Sequence, residues 1–208
     1  WGRDLDPKPV VFLDRDGVIN ALVPHPTSGV AESPHHPGDV ALLPGVAGAL
    51  RALAETNISV VIVSNQPGAA KGECAIEDLF AVHRRIMRDL SARGVALPDD
   101  TEYCFHHPEG TVSELQSFCS CRKPLPGLLL AGFRALGRSP EDEGWMVGDS
   151  DADILAGSAL GLRTISVETP ESGHRRSGQV HADFTVRSLA DAVRIILTAP
   201  SVSRVSQS

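Results

Sequence analysis

The sequence predicts an α/β fold built on a doubly wound, mainly parallel sheet. Apolar, β-branched segments of strand length recur along the chain and indicate buried strands: VVFLD (10–14), SVVIVSN (59–65), WMVGD (145–149) and RTISV (163–167). Between them lie segments in which apolar residues recur at helical spacing: 46–56, 76–94, 126–137 and 152–162. Because strands and helices alternate, the strands can lie parallel with helices on both faces of the sheet.

Length and composition are those of a globular protein. The chain has 208 residues, 42% hydrophobic and 22% charged, so we expect one domain over 1–198 and a disordered tail over 199–208. The net charge of -7 disfavours nucleic acid as a partner, because nucleic-acid-binding proteins carry basic patches. No segment is apolar enough to span a membrane and residues 1–9 lack a signal-peptide core, so we expect a cytoplasmic protein with no membrane partner. We expect a monomer, because the sequence shows no obvious exposed apolar stripe.

Two aspartates follow the first predicted strand. Asp14 closes VVFLD and Asp16 lies just beyond it, so both carboxylates can face the crevice at the carboxyl edge of the sheet. Two carboxylates that close repel each other unless a cation or a shared proton lies between them. Asp-Gly at 16–17 is also common turn chemistry, so a purely structural turn is the competing interpretation.

A second predicted strand also ends in acid. In VGDSDAD (147–153), Asp149 closes the strand, and Asp151 and Asp153 follow it. Asp14 and Asp149 on neighbouring strand ends, together with a backbone carbonyl, would suit Mg²⁺. For Asp151 alone, a helix N-cap is the favoured interpretation.

Two further segments offer groups that bind anions. Ser64 and Asn65 end SVVIVSN, and their polar and backbone N–H groups can surround an anion, although SNQPG would equally form a simple turn. Arg122 and Lys123 of CRKP add a planar fork and a point charge that suit phosphate. Together with the acidic strand ends, these groups indicate a phosphoryl-transfer site.

The order of these motifs resembles the haloacid dehalogenase superfamily. The matching motifs are Asp-x-Asp-Gly after the first strand, Ser-Asn after a second, Lys-Pro before a helix and Gly-Asp-x-x-x-Asp, between residues 10 and 165. The strings FLDRDGVIN, PGV (44–46) and SNQPGAAKG (64–72) are similar to one branch, which contains heptose-bisphosphate phosphatases and histidinol-phosphate phosphatases. The resemblance implies a Rossmann-like sheet. The sequence shows no second helical domain of the kind that caps many members of the superfamily, so we expect no large cap domain and a fairly open site.

The resemblance also implies roles for individual residues. Asp14 would attack phosphorus and form an aspartyl-phosphate, while Asp16 would protonate the leaving oxygen and then activate water. Mg²⁺ would be held by the carboxylates of Asp14 and Asp149 and by the backbone carbonyl of Asp16. Ser64 and Lys123 would steady the phosphoryl oxygens in the transition state. The residues expected to contact substrate or orient the site are Asn65, Gln66, Arg122 and, behind them, Asp153.

The branch implies a small sugar phosphate as the substrate. The expected reaction removes the 7-phosphate of D-glycero-D-manno-heptose 1,7-bisphosphate, with Arg122 on the remaining phosphate; hydrolysis of histidinol phosphate or another sugar phosphate is the alternative. A phosphatase acting on nucleic-acid ends is disfavoured by the acidic charge balance. A zinc-organised binding protein that had lost catalysis would be expected to lack Asp14, Asp16 or Lys123, and all three are present.

Three of the four cysteines crowd into residues 103–124. Cys104 with His106 and Cys119 with Cys121 form two close pairs, which suit a tetrahedral Zn²⁺ in a closed structural site, a zinc loop over 104–121. A disulfide and buried free thiols are the alternatives, and His107 is an alternative imidazole. The branch named above carries the same Cys-x-His and Cys-x-Cys pairs, which implies His106. The metal would position the two cations that follow the last cysteine.

The Pro- and His-rich segment 21–40 is longer than the corresponding loop of the branch. It is either a functional flap or a surface loop. For His25, His35 and His36, solvated loop positions are favoured over contacts with an anionic substrate. A second departure is Ser150, because members of the branch often carry a substrate-contacting lysine there.

Overall fold

Six parallel strands form the central sheet of the protein. The computed structural model describes residues 9–25, 29–56 and 58–200, so most of the expected tail lies outside the described residues. The central strands stand in the order β5-β4-β1-β6-β7-β8, and each described pairing among them is parallel. The strands are β1 (Val10–Leu13), β2 (Val23–Pro24), β3 (Ala31–Glu32), β4 (Ser59–Asn65), β5 (Asp100–Cys104), β6 (Gly144–Gly148), β7 (Arg163–Val167) and β8 (Phe184–Val186).

Helices cover both faces of this sheet. They are α1 (Val46–Ala54), α2 (Ile76–Ser91), α3 (Gly127–Ala135), α4 (Asp151–Ser158) and α5 (Leu189–Thr198). Successive side chains of a strand point to opposite faces. Val11 and Leu13 of β1 therefore pack in one core with α1, α2 and α5, while Val10 and Phe12 pack in a second core with α3 and α4. The predicted doubly wound α/β fold is confirmed.

The four predicted strands and four predicted helices are all present, and the elements that were missed have identifiable features. β5 reads DTEYC and β8 reads FTV, and both are edge strands without a long apolar run. α5 has an apolar face at helical spacing, a signal that the sequence does contain: Leu189, Ala192, Val193 and Ile196. The N-cap interpretation of Asp151 is wrong, because Ser150 caps α4 and Asp151 is its first residue.

The long 21–40 segment forms a small structure of its own. β2 and β3 pair as an antiparallel hairpin, and a 3₁₀ turn follows at Pro37–Asp39. In the described part of the chain, no α-helix lies between β1 and α1, so this segment contributes no helical cap domain. None of the described helices is long and apolar enough to cross a membrane.

The strand order fixes where a ligand can bind. The chain runs outward from β1 through β4 to β5, then returns to the other side of β1 and continues through β6, β7 and β8. Open sheets of this kind bind ligands at the carboxyl ends of the strands, where the direction of winding changes. In this protein that position is the end of β1 and of its two neighbours, β4 and β6.

Removal of the Phe133 ring tests the packing of the second core. The ring is fully buried in α3, with its centroid 4.9 Å from that of Phe12. We expect Phe133→Ala to lower the free energy of unfolding by about 3–5 kcal/mol, because it leaves a cavity. Phe118→Ala is the matched control, since Phe118 is 93% exposed, and it should change stability by less than about 0.5 kcal/mol. Urea denaturation followed by circular dichroism measures both, and equal effects would contradict this packing.

Candidate active site

Lys123 and two aspartates form the buried centre of the site. The lysine Nζ lies 2.7 Å from Asp14 Oδ1 and 2.6 Å from Asp153 Oδ1, and it donates to the Val63 carbonyl oxygen at 2.7 Å. All three charged side chains are buried. Burial opposes the charge on Lys123, but Asp14 and Asp153 outweigh it and raise the lysine's pKa. The lysine therefore stays protonated and fixes the Asp14 carboxylate at the end of β1.

Asp149 follows β6, and two glycines make room for the acidic groups. Gly17 has a φ of 92°, and the Asp149 carboxylate occupies the space that a Cβ at this position would need. Gly148 is similarly close to the side chain of Asp153. The Asp-Gly pair at 16–17 therefore forms a turn, and this turn also brings Asp149 close to the end of β1. A catalytic role for Asp16 stays a prediction.

The carboxylates offer a site for a divalent cation. Oxygens of Asp14, Asp149 and Asp153 lie within 4.8 Å of one another. Burial raises the pKa of Asp14 to about 6 and that of Asp149 to about 8, against the opposing charges of Lys123 and Arg175. Buried carboxylates with raised pKa values lack compensating positive charge. A hard cation with oxygen ligands, such as Mg²⁺, fits this arrangement.

Arg175 also enters the site, although no sequence motif predicts it. It ends the 3₁₀ turn Gly173–Arg175, in a loop without any of the recognised motifs. Its Nη1 lies 3.3 and 3.4 Å from the two Asp149 carboxylate oxygens and 3.3 Å from the Asp16 backbone oxygen. These two residues supply two of the three groups expected to hold Mg²⁺. The guanidinium therefore contacts the same oxygens as the expected metal ion.

The carboxylate of Asp16 is engaged on both oxygens. Arg15 donates to Oδ1 at 3.1 Å and to Oδ2 at 3.0 Å, Asn20 donates to Oδ1 at 2.8 Å, and Gln66 donates to Oδ2 at 2.6 Å. Burial opposes ionisation of Asp16, but Arg15 and the hydrogen bonds outweigh it and lower the pKa of the carboxyl group. Asp16 is therefore an ionised acceptor in this conformation. Arg15 and Asn20 lie within the FLDRDGVIN string but were not predicted as site residues.

The polar residues at and just after the end of β4 hold other site residues in place. The Asn65 side chain donates to the Lys123 carbonyl oxygen at 2.9 Å and accepts from the Lys123 N–H at 3.1 Å. Gln66 donates to Ser64 Oγ at 2.9 Å as well as to Asp16. Asn65 and Gln66, expected to contact substrate, thus direct their amides to Lys123, Ser64 and Asp16. Ser64 is buried beside them.

A cavity of about 260 Å³ opens above these groups. Its floor includes Asp14, Asp16, Ser64 and Lys123. The residues that line it from other parts of the chain are Glu32, Ser33 and His35 of the 21–40 segment, Lys71, Arg122 and Arg175. The structure thus brings every residue predicted for catalysis or substrate contact to one cavity, and the buried Asp149 lies under Arg175 at its edge.

The cysteine cluster forms a second candidate metal centre. The three sulfur atoms of Cys104, Cys119 and Cys121 lie 3.2–3.5 Å apart, and His106 Nδ1 is 3.8 Å from Cys104 Sγ and 3.5 Å from Cys121 Sγ. A tetrahedral zinc ion with bonds of about 2.0–2.3 Å needs similar spacings. All three cysteines are free, so the disulfide alternative is not realised. His107 Nδ1 instead accepts the N–H of Glu109 at 3.1 Å, so His106 is the imidazole of this cluster.

The cysteine cluster and the cavity share a short segment of chain. Arg122 follows Cys121 directly, and its Nη1 donates to the His106 carbonyl oxygen at 3.3 Å. Lys123 comes next and carries the ion pairs described above. The loop that holds the cluster therefore sets the direction of both cations.

Comparison with known proteins gives a consistent result. A family model of HAD-hydrolase-like proteins matches residues 120–192. The D-glycero-beta-D-manno-heptose-1,7-bisphosphate 7-phosphatase of Yersinia pestis is 35% identical over 188 residues, covering 90% of this chain and 95% of its own. That of Escherichia coli K12 is 34% identical over 194 residues, covering 90% and 93%.

The similarity extends to solved structures. The D,D-heptose 1.7-bisphosphate phosphatase from B. bronchiseptica, complexed with magnesium and phosphate, aligns with a TM-score of 0.74 and 27% identity. The alignment covers 91% of this chain and 98% of that one. With relatives this similar along nearly its whole length, the chain belongs to the heptose-bisphosphate phosphatase family of HAD-like hydrolases.

Proposed function

We propose that this protein is a Mg²⁺-dependent phosphatase that removes the 7-phosphate of D-glycero-D-manno-heptose 1,7-bisphosphate. One observation carries the proposal. The buried Asp14 carboxylate, paired with Lys123 at 2.7 Å, lies on the floor of a cavity that also holds Ser64 and Arg122. The substrate follows from the names of the relatives, and the chemistry follows from these side chains.

Asp14 is the proposed nucleophile. One of its oxygens forms a bond to phosphorus while the bond from phosphorus to the sugar oxygen breaks, which gives an aspartyl-phosphate and a sugar alkoxide that takes up a proton. Water then attacks the aspartyl-phosphate, releases inorganic phosphate and restores the carboxylate. Lys123 and Ser64 stabilise the phosphoryl oxygens throughout, because both lie on the same cavity floor.

Asp16 is the proposed acid and base, but it must first change partners. Its two oxygens accept hydrogen bonds from Arg15, Asn20 and Gln66. Donation of a proton to the leaving oxygen requires the carboxyl group to rotate away from at least part of this set toward the cavity and to become protonated. Arg15 and Gln66 therefore favour a resting state in which Asp16 is ionised.

A metal ion would be held by the carboxylates of Asp14 and Asp149 and the backbone carbonyl of Asp16. Bound there, Mg²⁺ would supply positive charge that lowers the repulsion between the anionic nucleophile and the anionic substrate. Asp153 keeps Lys123 in place at 2.6 Å and is itself fixed by a hydrogen bond of 2.6 Å from Ser150 Oγ. Ser150, the departure from the family's usual lysine, therefore contributes to positioning.

Two further cations in the cavity suit a substrate with a second phosphate. Arg122 and Lys71 both line the cavity and make no ion pair with the acidic residues of the centre. In the proposal, Arg122 binds the phosphate that is not cleaved, and the zinc loop holds Arg122 in the required direction. The proposed catalytic and substrate-binding residues of one chain line a single cavity, so we propose a single domain that functions as a monomer.

Hydrolysis of a substrate panel tests the proposed function. With Mg²⁺ present, we expect phosphate release from heptose 1,7-bisphosphate to exceed that from histidinol phosphate and fructose 1,6-bisphosphate in kcat/KM. The two heptose anomers are measured separately, with faster release from the β anomer expected. Asp14→Asn should lower kcat by at least about 10³-fold, because an amide cannot form the aspartyl-phosphate. Activity of Asp14→Asn near wild type would exclude the mechanism, and preference for histidinol phosphate would exclude the substrate.

Zinc should stabilise the loop that positions Arg122 and Lys123. We expect Cys119→Ser to lose bound zinc and to lower the melting temperature, because a structural zinc ion contributes directly to folding free energy. Cys74→Ser is the matched control, since Cys74 lies outside the cysteine cluster. Zinc content by mass spectrometry and thermal unfolding measure both effects. Equal zinc content and stability in the two variants would show that the cluster holds no structural zinc.

Arg175 should compete with Mg²⁺ for oxygens of Asp149 and Asp16. We expect Arg175→Gln to tighten Mg²⁺ binding by about tenfold, because a positive charge in contact with these oxygens is removed. Calorimetric titration with Mg²⁺ in the absence of substrate measures the affinity. Arg176→Gln is the control, since Arg176 contacts the backbone oxygen of Asp149 at 2.9 Å rather than its carboxylate. Unchanged or weaker affinity in Arg175→Gln would contradict competition.

A further inference from the structure

The 21–40 segment carries a cluster of imidazoles and carboxylates that the proposed phosphatase mechanism does not use. His25, Glu32 and Glu73 each present a ligand atom, and these atoms lie within 4.8 Å of one another. His35 is not part of this group, but its Nε2 lies 3.8 Å from Glu73 Oε2. His25 and Glu32 belong to the two arms of the hairpin, and Glu73 belongs to the turn that follows β4. The cluster therefore joins two segments that are distant in sequence.

Two distances to Glu73 are close to those between ligands of one ion. His25 Nε2 lies 3.6 Å from Glu73 Oε1, and His35 Nε2 lies 3.8 Å from Glu73 Oε2. Both are longer than a hydrogen bond of about 2.7–3.2 Å. A tetrahedral site with bonds of about 2.0–2.2 Å places neighbouring ligand atoms roughly 3.4 Å apart. The His25 and Glu73 atoms are within a few tenths of an ångström of that spacing, whereas the Glu32 atom, which lies within 4.8 Å of them, would have to move further.

The charges indicate what kind of ligand fits. Glu32 and Glu73 bring two carboxylates together, and the nearby cation, Lys71, is 3.8 Å from Glu32. Two carboxylates repel an anion, so this cluster does not suit a phosphate group. Two imidazoles with two carboxylates suit Zn²⁺ or a similar transition-metal ion better than Mg²⁺ or Ca²⁺, which prefer oxygen ligands alone.

We propose that His25, Glu32 and Glu73, with His35 as a fourth ligand, form a second site for Zn²⁺ or a chemically similar divalent ion. The position of the site suggests its effect. Glu32 and His35 line both the active-site cavity and an adjoining groove of about 760 Å³ that contains His25 and Glu73. A bound ion ties the hairpin to the turn after β4 and so fixes the outer wall of the cavity, which the substrate must pass.

A metal titration tests this site without any assay of activity. The protein is first loaded with zinc at the cysteine cluster and kept in excess Mg²⁺, and Co²⁺ is then added while the visible and near-ultraviolet spectra are recorded. We expect one further equivalent of Co²⁺ to bind and to give d–d absorption without the sulfur-to-metal charge-transfer bands of a thiolate site.

Two ligand variants and one control decide the outcome. His25→Ala and Glu73→Gln should each weaken the binding of this Co²⁺ by about tenfold or more. His36→Asn should leave it unchanged, because His36 caps the 3₁₀ turn through Gly38 and lies outside the cluster, and asparagine retains a capping oxygen. The proposal is overturned if no further equivalent binds, if charge-transfer bands show binding to thiolates, or if both ligand variants bind Co²⁺ as the wild type does.

Discussion

The pairing of Lys123 with Asp14 and Asp153 is the interaction on which the site depends. It joins the end of β1, the segment before α3 and the first turn of α4, and the three charges are almost fully buried. A buried charge that loses its partner is costly, with about 3–5 kcal/mol as a typical penalty. The lysine amino group is therefore confined between its two carboxylates and the Val63 carbonyl oxygen. The same contacts hold the carboxylate of Asp14, the proposed nucleophile, in place where it lines the cavity.

The groups around this centre act mainly as its supports. The Asn65 side chain forms hydrogen bonds with both the N–H and the carbonyl oxygen of Lys123. Ser150 donates a hydrogen bond to Asp153, and Gly148, which has no side chain, leaves space for Asp153. The cysteine cluster sets the chain direction just before Arg122 and Lys123. These contacts come from three separate strand ends and one loop. The site is therefore rigid because many short contacts on the sheet define it, although a hairpin and loops form its outer wall.

Three cationic side chains pair with the acidic groups of the site. Lys123 serves Asp14 and Asp153, while Arg175 contacts Asp149 and the Asp16 backbone oxygen. Burial still raises the pKa values of Asp14 and Asp149, so the two cations do not satisfy the carboxylates completely. Asp16 is different, because Arg15 contacts both of its carboxylate oxygens and lowers its pKa. The protein thereby keeps Asp16 ionised without a metal ion, whereas Asp14 and Asp149 lack enough positive charge nearby.

The sequence alone determined the fold class and most of the site, because both depend on local patterns. Buried strands are apolar runs, and the polar residues that close them, such as Asp14, Ser64 and Asp149, meet because parallel strands end at one edge. Only the tertiary structure decided which of these side chains contact one another. Arg175 lies in a loop without a recognised motif, so its contact with Asp149 could not be predicted. Asn65 binds Lys123 because the segment before α3 lies against the end of β4. The edge strands β5 and β8 likewise form through neighbours, since their own residues carry too little apolar pattern to specify a strand.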